Sequence, residues 1–124
     1  MLKVSYKRII NAFIYSLQGL KAAYRHEQAF KEETFILIIS FVLAAVLPVS
    51  LLERILLIAS VLFLMLIELL NSAIEAVVDR ISEEKHELSG RAKDMGSAAV
   101  LLATILLIIT WGYIIISYIY HVLN

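Results

Sequence analysis

Three long apolar runs, two of them without any charge, decide what this chain can be. Thr34–Leu52 holds 19 uncharged residues and Ala98–Ile119 holds 22. Ile55–Val78 is 24 residues long, with Ser60, Glu68, Asn71, Ser72 and Glu75 as its polar members. About 20 apolar residues in a helix cross a bilayer core, so each run is long enough. The rest of the 124 residues is too little to bury three such runs in water. The expectation is a single-domain, all-α integral membrane protein with transmembrane spans at about 34–52, 55–78 and 98–119. One Pro and four Gly leave little room for long loops. Pro48 suits the last turn of the first span. Trp111, Tyr113, Tyr118 and Tyr120 gather towards the end of the third, where aromatic side chains anchor at a membrane interface.

Composition removes other classes. Hydrophobic residues make up 61% of the chain, against about 45–50% in soluble domains, which also excludes disorder. Lys+Arg 11 balance Asp+Glu 11, so there is no basic field for nucleic acid. Without cysteine, disulfide scaffolds, thiolate metal sites and cysteine nucleophiles are excluded. A cleaved signal peptide is a poor reading of the N-terminus, and the expectation for residues 5–25 is an amphipathic segment. Ile9, Ile10, Phe13, Ile14, Leu17 and Leu20 recur at helical spacing, opposite Lys7, Asn11, Gln18, Lys21 and Arg25. That pattern suits a helix lying on the membrane surface; the alternative is a helix packed on its own chain.

Loop charges orient the chain. Lys3, Lys7, Arg8, Lys21, Arg25 and Lys31 precede the first span, and Arg80, Lys85, Arg91 and Lys93 join the second to the third. Between the first two spans stands Arg54, beside Glu53. By the positive-inside rule the N-terminus and the 79–97 connection face the cytoplasm, and the C-terminus faces outward.

The second span contains what a membrane helix should lack. Glu68, Asn71, Glu75 and Asp79 stand at spacings of 3, 4 and 4, on one helix face. Charged groups at membrane depth cost a few kcal/mol each and are functional candidates by default. Interhelical glue is the structural alternative, but it normally uses neutral polar residues. Glu68 lies roughly 20 Å along the helix from Ile55, and Glu75 about 10 Å further on, near the interface. Carboxylates and an amide are hard oxygen ligands suited to Mg²⁺ with its substrate phosphates. Glu27, with Glu32 and Glu33 beyond it, could meet Glu75 at that interface. Burial would tune Glu68 towards the pKa a general base needs. The 82–97 segment adds Lys93, Arg91 and two glycines before an expected helix start, where amides could hold phosphate; taken singly, its residues equally fit a solvated turn. No P-loop, kinase glycine loop, zinc-protease or nucleophile-elbow motif occurs. The parts present are nevertheless those of phosphoryl transfer.

Residues Glu68–Arg80 (ELLNSAIEAVVDR) and His86–Val100 (HELSGRAKDMGSAAV) resemble the signature of the small bacterial membrane diacylglycerol kinases. Arg8-Ile-Ile, Tyr15-Ser16, Gly19-Leu20 and Glu27-x-Ala29-Phe30-x-x-Glu33 are similar as well. The resemblance implies transfer of the γ-phosphoryl of MgATP to diacylglycerol, giving phosphatidic acid. It implies a homotrimer in the bacterial inner membrane, with sites between subunits at the cytoplasmic face. Carried over by motif, Glu68 is the general base and Glu27 and Glu75 bind the metal. Arg8, Tyr15, Glu84, Lys85, His86, Lys93 and Asp94 contact nucleotide. Arg8, Ser16, Glu33, Glu68, Ser97 and Trp111 form the lipid site, with Asn71 and Asp79 supporting. Leu17, Gln18, Tyr24 and His26 depart from the family pattern, on the surface helix. Two alternatives stand beside this one: a kinase of undecaprenol, and a small proton-coupled subunit using Glu68 as a relay.

Overall fold

The computed structural model describes residues 5–124. It consists of four helices: α1 Tyr6–His26, α2 Gln28–Val46, α3 Leu51–Ile81 and α4 Glu87–Leu123. Lys3, among the orienting cations, lies outside the described residues. α3 is central, packing on α2 along one side and α4 along another, while α1 leans on α2.

Short joints set the helix ends. Glu27 alone separates α1 from α2; it is extended (φ −111°, ψ 112°) and caps both. α2 ends at Val46, earlier than the first run of apolar residues suggests, and Pro48 stands outside it. A residue before proline is pushed out of the helical region, and Leu47 is extended at φ −68°, ψ 134°. α3 restarts after Ser50, whose hydroxyl accepts from Glu53 N at 3.2 Å while Glu53 Oε2 accepts from Ser50 N at 2.9 Å. This reciprocal cap satisfies two otherwise orphaned donors.

Arg54, expected in a connection, lies instead in the first turn of α3. Its guanidinium donates to Ala44 O at 2.6 Å, Ala45 O at 2.9 Å and Val49 O at 3.2 Å. Those are carbonyls at and just beyond the end of α2, which lack helical partners.

The far connection is shorter than the sequence suggests. α3 continues to Ile81 and α4 begins at Glu87, where His86 Nδ1 accepts from Leu88 N at 3.1 Å. Ser89–Ser97 is therefore helix, and the helix start that could face phosphate lies at His86–Ser89, not at Ser97. α3 and α4 are about 46 and 55 Å long, and both are apolar enough to cross a membrane. α2 carries Lys31, Glu32 and Glu33 near its start, so its uncharged helical part, residues 34–46, is only about 20 Å long.

α3 buries one stripe: Leu57, Val61, Leu64, Met65, Glu68 and Asn71. The helical spacing is continuous, but its chemistry changes midway. Leu57 joins Ala44 and Ile114; Val61 and Met65 join Ala23 and Phe30. Trp111 packs against both clusters and donates Nε1–H to Leu57 O at 3.2 Å. Outside this seam, Phe35, Ile38, Val42, Leu101, Ile108 and Ile116 are exposed. So much uncovered apolar side chain suits hydrocarbon surroundings, not water.

Candidate active site

The stripe of α3 turns polar at Glu68. Glu68 is 7% exposed and Asn71 8%, while Glu75 is half-buried and Asp79 exposed. The 3–4–4 spacing thus climbs out of the interior towards the 82–86 connection. Glu33 of α2, also 7% exposed, joins Glu68 closely enough for their charges to interact. Glu75 and Glu27 stand within the same electrostatic reach of Glu68. Four carboxylates, Glu27, Glu33, Glu68 and Glu75, therefore gather where α2 and α3 approach the α1–α2 joint. Glu33 Oε2 and Asn71 Oδ1 are buried without a hydrogen-bond partner. Asn71 Nδ2 donates to Glu75 Oε1 at 3.4 Å.

One cation within charge range of this group, Lys93, is already engaged. Lys93 Nζ lies 2.6 Å from Asp79 Oδ1, both side chains well exposed. The hydrogen bond to Asp79 holds the Lys93 amine above its usual range; partial burial opposes this, and the charges of Asp79 and Glu75 add to it. A pair so open to solvent contributes little stability. Its consequence is positional: a permanently charged amine is held at the mouth of the acidic group.

Beyond it the α3–α4 connection forms an open groove of about 470 Å³, lined by Asp79, Ser82, Glu84, Lys85, His86 and Lys93 among others. That volume lies within the range of small-ligand sites. A second hollow, of about 660 Å³, lies between α1 and α3. Its walls are mostly small and apolar, from Gly19, Leu20, Ala22, Leu69, Ala73 and Ala76, with Ser16, Ser72, His26 and Glu27 as polar members. Glu27 thus stands at once beside this slot and within charge range of Glu68.

Other expected site residues are not brought in. Arg8 and Tyr15 line a shallow hollow made by α1 alone, with Lys7 and Asn11. Asp94 and Ser97 are exposed on α4 and line neither the groove nor the slot. Trp111 fills the seam at the level of Leu57, about 16 Å along α3 from Glu68. Two features escaped the sequence, the clamp of Arg54 on α2 and the fit of Asn71 against Gly96. A glycine inside a helix signalled the second; nothing signalled the first.

Among the described residues, no three His, Asp or Glu side chains converge tightly enough to hold a metal alone. The donor set still fits Mg²⁺, which takes one or two carboxylates and completes its shell with water and substrate phosphates. Glu27 and Glu75 are the half-buried acids available for this.

Fold and site define an all-helical membrane protein with a partly buried acidic cluster in the C-terminal half of α3 and a cation-lined groove at the α3–α4 connection. The profile of the family described as prokaryotic diacylglycerol kinase matches residues 14–115. The diacylglycerol kinase of Escherichia coli strain K12 is 54% identical over 113 residues, 91% of this chain and 93% of that one. Those of Haemophilus influenzae and Pseudomonas aeruginosa are 53% and 49% identical, covering 86% and 90% of this chain and 91% and 90% of their own. The chain belongs to the prokaryotic diacylglycerol kinase family, and it is a kinase.

Proposed function

We propose that this diacylglycerol kinase transfers the γ-phosphoryl of MgATP to the hydroxyl of diacylglycerol with Glu68 as general base, giving phosphatidic acid and ADP. One observation carries this most directly. Glu68, a carboxylate withdrawn from water, lies within charge range of Glu27, which walls the apolar slot on the α1 side, and of Glu75, one turn before Asp79 of the charged groove on the loop side. Diacylglycerol is confined to the leaflet and ATP to water, so the chemistry has to occur where two such spaces meet.

Glu68 accepts the hydroxyl proton as the lipid oxygen attacks the γ-phosphorus and the bond to the β-phosphate oxygen breaks. Glu33, buried beside it, orients that hydroxyl, and Ser16 on the slot wall accompanies it. Glu27 and Glu75 would hold Mg²⁺, which when bound offsets the charge of the nucleotide phosphates. Lys93, kept charged and fixed by Asp79, meets phosphate oxygens. Glu84, Lys85 and His86 line the groove for the rest of the nucleotide; Asp94, exposed on α4, joins the nucleotide contacts, and Ser97, exposed on the same helix, the lipid site. Trp111 contributes through helix packing, filling the seam between the two apolar clusters.

Arg8 and Tyr15 complete the nucleotide site across a subunit boundary, α1 of one chain covering the groove of its neighbour in a homotrimer. Support for this is their placement on a stretch of α1 that makes its own hollow and faces no groove of the same chain. The exposed apolar residues of α1, among them Ile9, Ile10, Phe13 and Leu17, suit a helix lying on the membrane surface. α2 provides a third crossing with help from residues 47–50. The positive-inside rule, applied to Lys7, Arg8, Lys21, Arg25 and Lys31 and to Arg80, Lys85, Arg91 and Lys93, supports a site at the cytoplasmic face of the inner membrane. At the other end Arg54 is consumed by backbone carbonyls.

The test is phosphorylation by purified protein in lipid, with labelled ATP, diacylglycerol and undecaprenol offered together, with and without Mg²⁺. Mg²⁺-dependent label in phosphatidic acid is expected. Label preferentially on undecaprenol would make it the other lipid kinase. Proton movement in vesicles without transfer to any lipid alcohol would make Glu68 a relay.

A further inference from the structure

Asn71 faces two helices. Within α3 its Nδ2 group donates to Glu75 Oε1 at 3.4 Å. Across the interface its amide fills the place where a Cβ on Gly96 of α4 would stand: Cγ lies 3.2 Å from that point and Oδ1 is nearer still. Gly96 and Asn71 are both buried, and Asn71 Oδ1 has no hydrogen-bond partner. Gly19, Gly90 and Gly112 have open space where a Cβ would go; Gly96 alone among the glycines does not. No glycine has a positive φ among the described residues, so conformational freedom is not what position 96 uses. A glycine inside a helix is unfavourable relative to alanine, and here it permits a close approach.

We infer that Gly96 is a positioning residue for phosphoryl transfer: its missing side chain lets the Asn71 amide lie against α4 with its N–H aimed at Glu75. The inference rests on the proposed role of Glu75 as a magnesium ligand. A methyl at position 96 forces the buried amide to turn, and the turn carries Nδ2 away from the carboxylate. Glu75 then loses the donor that sets its orientation. Partners behind a metal-binding carboxylate typically matter by about 10- to 100-fold in metal affinity or activity.

The full-length protein in detergent is compared with Gly96→Ala, Asn71→Ala, the double variant and Glu75→Gln. Two readouts need no turnover: calorimetric binding of the magnesium complex of a non-hydrolysable ATP analogue, and thermal unfolding. Gly96→Ala and Asn71→Ala each weaken binding about 10- to 100-fold. The double variant binds no more weakly than Asn71→Ala, because the new methyl meets no amide. It also unfolds no lower, alanine being the better helix former, so it remains informative if Gly96→Ala alone fails to fold. Normal binding by Gly96→Ala, or additive losses in the double variant, with Glu75→Gln impaired, overturns the inference by itself. Normal binding by Glu75→Gln removes Glu75 from the ligand set and the inference with it.

Discussion

Along the inward stripe of α3, the end near Pro48 and the end near Ser82 bury opposite things. At the first, Leu57 and Val61 are completely enclosed, Trp111 bridges the two apolar clusters, and Arg54 ties α3 to the last carbonyls of α2. At the second, the same face presents Glu68 and Asn71, Glu33 enters from α2, and two buried polar atoms go without partners. Unpartnered buried polar groups are destabilising, and like charges at close range more so. The well-packed end holds the helices at a spacing that the acidic end could not maintain unaided. Strain at one end of the bundle is therefore tolerated because packing at the other is complete.

That contrast can be broken by experiment. The largest effect belongs to Glu68→Gln, which removes a general base and lowers the rate of lipid phosphorylation by about 10²- to 10⁴-fold. Nucleotide binding persists and thermal stability holds or rises, since a buried charge among like charges has been removed. Near-normal turnover would show that the acidic end is structural glue and would erase the distinction.

Next is Trp111→Ala. Emptying a large aromatic site costs about 3–5 kcal/mol in soluble cores. Here the lower part of that range applies, because the transfer contribution vanishes when hydrocarbon is the alternative surrounding. The temperature of inactivation in detergent should fall sharply while KM for diacylglycerol is unchanged. A raised KM at full stability would return Trp111 to the lipid site.

Arg54→Met is the smallest of the three. Three carbonyls lose a charged donor, for a destabilisation of about 1–3 kcal/mol. The rate at low temperature should match the unaltered protein, with earlier inactivation on heating. An unchanged inactivation curve would mean that the Ser50–Glu53 cap and the apolar packing hold the turn alone.

The amino-acid sequence by itself determined that the chain is helical and membrane-bound, and that Glu68, Asn71, Glu75 and Asp79 share one face. These are local properties: hydrophobic run length and residue spacing act within a single helix and survive any arrangement of its neighbours. The extent of the helices was less legible. Pro48 stops α2 through the backbone of Leu47, and the polar run Glu87–Ser97 folds as helix because His86 caps it and the apolar stretch behind it continues the same turns. Only the tertiary structure decided that Glu33 is buried beside Glu68, that Trp111 turns inward to Leu57, that Arg54 caps the preceding helix, and that Gly96 receives Asn71. Each joins residues on different helices, from 9 or 10 positions apart for Arg54 to 54 for Trp111 and Leu57. Such pairings follow from which helix faces meet and how closely, which no periodicity within one segment encodes.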